Sequence, residues 1–145
     1  MLAGKAGWLC AGILQAANRP ELGGRVVLPG YVPSDDLAPL LSGALAFVLP
    51  SWHEGFGLPI LEAMTCEVPV ICSNVSSLPE VAGDVALLVD PGQVDDLAHA
   101  MLELYRDPVL RRELVARGRE RVGHFSWEQC ATVVLAALEE TGGMG

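Results

Sequence analysis

Positive charge is scarce in this chain of 145 residues: nine Lys and Arg stand against eighteen Asp and Glu, giving a net charge of −9. A binder of duplex nucleic acid or of anionic membrane needs a basic footprint, so neither class fits. Six of the nine basic residues (Arg106, Arg111, Arg112, Arg117, Arg119 and Arg121) fall in one stretch. Such a run predicts a solvated helix face rather than a docking surface. Paired cysteines are missing too. Cys10, Cys66, Cys72 and Cys130 lie inside apolar runs with no C-x-x-C pair, which predicts reduced core thiols in a cytoplasmic protein. His53, His99 and His124 are scattered, so the close-set ligands of a zinc site are absent. No apolar run approaches the roughly 18 residues of a membrane span, and no signal-peptide pattern opens the chain. Asn74-Val75-Ser76 reads as a chance match to a glycosylation acceptor.

What is present is apolar: 51% of the residues are hydrophobic. One domain of this size buries roughly two-thirds of its unfolded surface and needs no metal or disulfide to hold it. Short apolar runs at Val26–Pro29, Ala44–Leu49, Val68–Cys72 and Ala86–Val89 read as strands buried on both faces. Helical patterns at Trp8–Ala17, Asp35–Leu41 and Leu58–Thr65 alternate with them. That alternation predicts an α/β fold, a Rossmann-like doubly wound parallel sheet in one domain with a helical C-terminal third. In that third, Val94, Leu97, Ala98, Met101, Leu102 and Tyr105 form one helical stripe, expected to face the core. Asp107-Pro108 opens a new helix. Ser126 with Gln129 forms a capping box, with Phe125 placed for a hydrophobic staple. The tail Thr141–Gly145 is expected to fray. Met1-Leu2-Ala3-Gly4-Lys5 reads as the end of a strand, so at least one earlier βα unit is expected to be missing.

The stretch with the most chemistry runs from Ser51 to Met64, just past the strand ending at Leu49. Open α/β sheets bind ligands there, outside the carboxyl ends of their strands. Gly55 and Gly57 flank Phe56 and permit a sharp turn with close approach of the backbone to a ligand. Pro59 suits a helix's first turn, leaving free N–H groups near Gly57 and Leu58 that favour a phosphate. Glu54 and Glu62 frame the loop. Carboxylates repel phosphate, so these fit hydroxyls on either side of it: a polyhydroxylated group near Glu54 and a ribose near Glu62. Spacing alone equally allows a capping loop with two solvated acids.

The pattern Glu54-Gly55-Phe56-Gly57-Leu58-Pro59 through Glu62 resembles the Glu-x7-Glu motif of family 4 (group 1) retaining glycosyltransferases. Gly30-Tyr31-Val32, Leu40-Leu41-Ser42-Gly43-Ala44, Val48-Leu49-Pro50-Ser51, Leu78-Pro79-Glu80-Val81-Ala82-Gly83, Val89-Asp90-Pro91 and Phe125-Ser126-Trp127 agree with it in order. The likeness runs from about Leu2 to about Leu138. It implies most of the C-terminal, donor-binding half of a two-Rossmann-domain (GT-B) enzyme. Glu54 would contact the transferred sugar electrostatically, and amides around Gly55, Phe56, Gly57 and Leu58 would hold sugar and diphosphate. Glu62 would bind ribose, and the base would lie against Tyr31, Val32 and Pro33. The implied donor is a nucleotide-diphosphate sugar, used by front-face displacement with retained configuration and with no metal. A saccharide or lipid-linked acceptor would come through a domain absent here, and the wording of the motifs leans toward mannosyltransferases with a guanosine donor.

Two departures matter. The family's diphosphate-binding arginine and lysine come from a loop ahead of anything present here, and Lys5, the only lysine, does not take that role. The isolated chain is therefore expected to bind donor weakly and to transfer nothing. The family also usually has glycine where this chain has Glu67, so Glu67 is expected either to adopt positive φ or to end its helix differently. His53 either faces the sugar or lies partly exposed on the loop. Ser73 to Ser77 either lines the crevice or is an ordinary polar βα loop, and Trp8 and Trp52 are expected to pack. An incomplete sheet would leave an apolar edge, which predicts self-association. A nucleotide-sugar epimerase of the same architecture, or a remnant that only binds nucleotide, remains an alternative; a glycosidase acid pair fits less well, since these glutamates frame a helix start.

Overall fold

The computed structural model describes residues 1–142. The chain divides into two compact units, Met1–Leu40 and a second from Leu41 onward. In the first, α1 (Ala11–Ala17) is followed by a 3₁₀ turn, Pro20–Leu22. The helix expected from Trp8 starts later because Leu9 takes a φ of 60°, a left-handed bend that interrupts it. Trp8 is 100% exposed and packs on nothing, contrary to expectation. The strand expected at Val26–Pro29 does not form. Its neighbourhood makes one parallel bridge, Ala3 to Gly30, with Leu2 N–H donating to Val27 at 2.9 Å and Gly4 N–H to Gly30 at 2.8 Å. That single bridge is not extended into a ladder, and Val27 and Leu28 stay exposed. Helix α2, Ser34–Ser42, begins in this unit with Asp35 and Asp36 at its positive end.

The second unit holds β1 (Phe47–Leu49), α3 (Leu58–Thr65), β2 (Val70–Ser73), α4 (Leu78–Ala82), β3 (Leu87–Val89), α5 (Val94–Arg106), α6 (Pro108–Val122) and α7 (Trp127–Gly142). The strands are parallel in the order β1-β2-β3, with Leu49 opposite Cys72 and Ser73 opposite Val89. Three strands thus pair among the described residues where four were expected. β2 is central and wholly buried, as its Val-Ile-Cys run requires. Ile71 and Val89 meet Ala100, Leu104 and Leu114 in one apolar cluster. Each large side chain buried there is worth about 1.5–3 kcal/mol. Against α3, α6 packs so closely that a Cβ on Gly118 would come within 3.3 Å of Met64 Cγ.

Some local expectations hold and several do not. Asp107 caps α6, accepting from Val109 N at 2.8 Å and Leu110 N at 2.9 Å. Ser126 Oγ accepts from Gln129 N at 3.1 Å, half of the expected capping box; the Gln129 side chain does not return the bond. Glu67 adopts the positive φ, 60°. On α5 the expected stripe is mostly wrong: Val94, Ala98, Met101, Leu102 and Tyr105 are exposed, while Ala100 and Leu104 are buried with Leu97 beside them. The helix is apolar over more than one face, and packing against β2, β3 and α6 selects the narrower line. Of the cysteines only Cys72 is buried; Cys10 and Cys66 are half-buried and Cys130 is exposed. The short helix α4, with Pro79 in its first turn, is not among the expected elements. Thr141 and Gly142 close α7 rather than fray, and the rest of that tail lies outside the described residues.

The arginine run is not simply solvated. Arg111 donates to the Leu104 and Tyr105 carbonyls at the end of α5, and Arg121 to those of Glu80 and Val81 in α4. Guanidinium groups at helix C-termini satisfy carbonyls with no intrahelical partner and complement the dipole. Arg117 pairs with Asp84 and Arg119 with Glu67.

Candidate functional site

Because the three strands are parallel and nearly level, the loops after β1, β2 and β3 emerge along one edge of the sheet. The loop from Pro50 to Gly57 is the longest of them and contributes little hydrogen bonding of its own. Ser51 Oγ donates to Glu54 Oε1 at 2.8 Å, orienting a half-buried carboxylate. The other bonds come from the neighbouring loop. Ser76 Oγ accepts from Glu54 N at 3.2 Å and donates to Glu54 O at 2.7 Å. Ser77 Oγ lies 3.0 Å from Glu54 O and 2.9 Å from Phe56 O, a donor shared between two carbonyls. From the third loop, Gly92 lies against the Trp52 ring, so close that a Cβ there would come within 3.2 Å of it.

Gly57 is the N-cap of α3 with φ 107°. Both the backbone and the space demand glycine: an added Cβ would stand 2.8 Å from Leu78 Cδ2, and Leu78 is fully buried. Among the described residues, the N–H groups of Gly55, Phe56, Gly57 and Leu58 donate to no protein acceptor. Consecutive free N–H groups at a helix start are an anion-binding feature. Glu62 is exposed on the second turn of α3. Phe56 is held from a distance, its ring edge-on to Phe125 at 6.0 Å and 85°, with the Arg121 guanidinium 5.0 Å above Phe125. Phe125 is thereby turned toward the loop.

Glu54, Gly55, Phe56, Gly57, Leu58 and Glu62 therefore lie on one loop and helix start. Tyr31, Val32 and Pro33 lie in the first unit between Gly30 and α2, where the Lys5 ammonium sits 5.1 Å from the Tyr31 ring. His53 is exposed, with Nδ1 3.5 Å from Ser76 Oγ. Trp52 is 68% exposed. Ser73 is buried at the end of β2, its hydroxyl without a partner among the described residues. Sequence reasoning missed the grip of Ser76 and Ser77 and the reach of Phe125. The only signal was polarity just past a strand end.

An acid on each side of an amide-rich helix start, at the carboxyl edge of a parallel sheet, suits a ligand with hydroxyls flanking an anionic centre. Comparison with known proteins bears on which family uses it. Residues 13–121 match the family described as Glycosyl transferases group 1. The O-antigen chain mannosyltransferase B of Escherichia coli is 46% identical over 139 residues, covering 96% of this chain and 36% of that protein. Serotype-specific mannosyltransferase WbdA of Escherichia coli is 38% identical over 111 residues, 77% of this chain and 14% of the relative. The structure of sucrose-phosphate synthase from Thermosynechococcus elongatus superposes with a TM-score of 0.78 at 35% identity, over 92% of this chain and 34% of that one. The chain thus spans about a third, or less, of the length of these relatives. No described helix is long and apolar enough to cross a membrane. Matched over most of its length by the family and by relatives of this identity, the chain belongs to the group 1 glycosyl transferases.

Proposed function

We propose that the chain is the donor-binding part of a retaining glycosyltransferase and takes a nucleotide-diphosphate sugar at the Glu54–Glu62 segment. The observation that carries this reading is the run of unpartnered N–H groups from Gly55 to Leu58, set between a half-buried Glu54 and an exposed Glu62. The amides receive the diphosphate, whose charge the start of α3 favours. Glu62 accepts hydrogen bonds from ribose hydroxyls. Glu54 faces the sugar and stabilises positive charge developing at the anomeric carbon, while the acceptor oxygen enters on the face from which the diphosphate leaves. No metal takes part. The mannosyltransferase names of the relatives support a mannosyl donor. The four free cysteines suit a reducing compartment, the cytoplasm. A saccharide or lipid-linked acceptor is supplied outside this chain, so the chain alone transfers no sugar.

The test is a calorimetric or NMR titration of the chain with GDP-mannose, UDP-glucose and ADP-glucose, with Glu62→Ala as control. The expected result is binding of GDP-mannose, weakened about 10-fold by loss of a charge-assisted hydrogen bond to ribose. A folded chain that binds none of the three refutes the reading.

A further inference from the structure

We infer that Ser76 is a positioning residue for Glu54, holding that residue's main chain in the conformation that aims its carboxylate. The inference rests on the donor-binding reading above and concerns a residue outside the Glu54–Glu62 segment. One hydroxyl engages both backbone groups of Glu54, accepting from its N–H at 3.2 Å and donating to its C=O at 2.7 Å. That is the pairing a neighbouring strand would give, supplied here by a side chain to a loop that has no strand beside it. Ser77 adds a donor shared between the carbonyls of Glu54 and Phe56. On its other side, the Glu54 carboxylate receives the Ser51 hydroxyl at 2.8 Å. Backbone and carboxylate are thus fixed by separate serines.

The conformation of Ser76 itself argues that its place is used. Its φ is 60°, in the left-handed region that disfavours residues with a Cβ. Glycine would adopt this φ freely, but glycine has no hydroxyl. A strained backbone beside a candidate site, held by its own side-chain bonds, points to a role beyond chain reversal. Stability and sugar recognition should therefore separate on substitution. Ser76→Gly relieves the backbone while releasing Glu54, whereas Ser76→Thr keeps the hydroxyl.

The experiment uses the whole chain with GDP and GDP-mannose as probes, comparing wild type, Ser76→Gly and Ser76→Thr. Each variant is followed by thermal melting, amide hydrogen exchange at Glu54 and calorimetric affinity. Ser76→Gly is expected to melt within about 3 °C of wild type, since relieved strain offsets lost hydrogen bonds. Its Glu54 amide should exchange at least about 10-fold faster. GDP-mannose should bind about 5- to 10-fold more weakly while GDP stays within about twofold, with Ser76→Thr restoring the sugar-dependent part. A Ser76→Gly chain that keeps the wild-type preference for GDP-mannose over GDP overturns the inference and leaves the donor reading standing, as does a wild type with no such preference. A wild type that binds neither probe overturns both. If the glycine variant loses its cooperative melt, Ser76→Asn, which tolerates the left-handed φ and has no hydroxyl, carries the same comparison.

Discussion

Glu67 stores strain that a single substitution should release. The end of α3 is closed by two hydrogen bonds, Glu67 N–H to Met64 O and Val68 N–H to Ala63 O, both 3.0 Å. This is the Schellman arrangement, whose turning position normally carries glycine because it needs a left-handed backbone. Glu67 supplies it at φ 60°. For a residue with a Cβ that conformation costs roughly 1–2 kcal/mol. Against this stands the pair with Arg119 at 3.1 Å, whose side chains are 56% and 67% exposed. An exposed pair contributes about 0–1 kcal/mol and fades with salt. Strain therefore outweighs the ion pair, and Glu67→Gly should stabilise the fold by about 0.5–1 kcal/mol. For a chain of 145 residues each kcal/mol moves the melting point by about 3 °C. Calorimetric or circular-dichroism melts should rank Gly above Glu, and Glu at or above Ala, since Glu67→Ala keeps the strained φ and loses the pair. In about 1 M NaCl the advantage of glycine should grow by the screened part of the pair. A Glu67→Gly chain melting below the parent at both low and high salt would refute the reasoning.

Gly57→Ala should be destabilised by about 2–4 kcal/mol, because its Cβ must enter at φ 107° and 2.8 Å from a buried Leu78 side chain; a urea midpoint equal to wild type would contradict this. Burial pushes the Cys72 thiol from 9.0 up to about 11. The unfolded chain therefore ionises first, so the stability present below pH 9 should fall by up to about 2–3 kcal/mol as pH rises through 11. Urea midpoints at several pH values test this, and Cys72→Ala should lack that part of the slope. Excess EDTA should leave GDP-mannose affinity within about twofold, and a larger loss would require a metal at the site. Helix α7 buries none of its described residues and exposes Val133, Val134, Leu135 and Leu138, which predicts concentration-dependent association; a sedimentation profile of monomer alone at high concentration would count against it.

The parts of the fold that could be read ahead are those decided locally. Leu58–Thr65 was legible to the residue because Pro59 marks its start and its apolar spacing carries the turns. Asp107 was legible because a cap is made by neighbours two and three positions on. What failed depended on partners. Val26–Pro29 is as strand-like as Val70–Ser73, but only the latter has strands on both sides. On α5 two overlapping apolar lines compete, and only the position of β3 and α6 tells which is core. The arginine run reads as solvated because its acceptors, the carbonyls of Glu80, Val81, Leu104 and Tyr105, carry no side-chain signature.

The candidate site divides along the same line, with a consequence for how it works. The groups proposed to meet a ligand, Glu54 to Leu58 and Glu62, lie within one short stretch of chain and so are visible as a motif. The groups that hold them come from the loop after β2 and from the turn between α6 and α7. A loop with one internal side-chain bond would sample many conformations if left alone, and ordering it costs roughly 1–2 kcal/mol per residue. The serines at Glu54 and Phe56 and the Phe125 ring on Phe56 offset that cost before any ligand arrives. On the donor-binding proposal, affinity depends on Ser76, Ser77 and Phe125 as well as on the residues that would touch a donor. Preorganisation of this kind leaves no contiguous signature, since hydroxyls and rings distant along the chain become supports only when the sheet brings its loops to one edge.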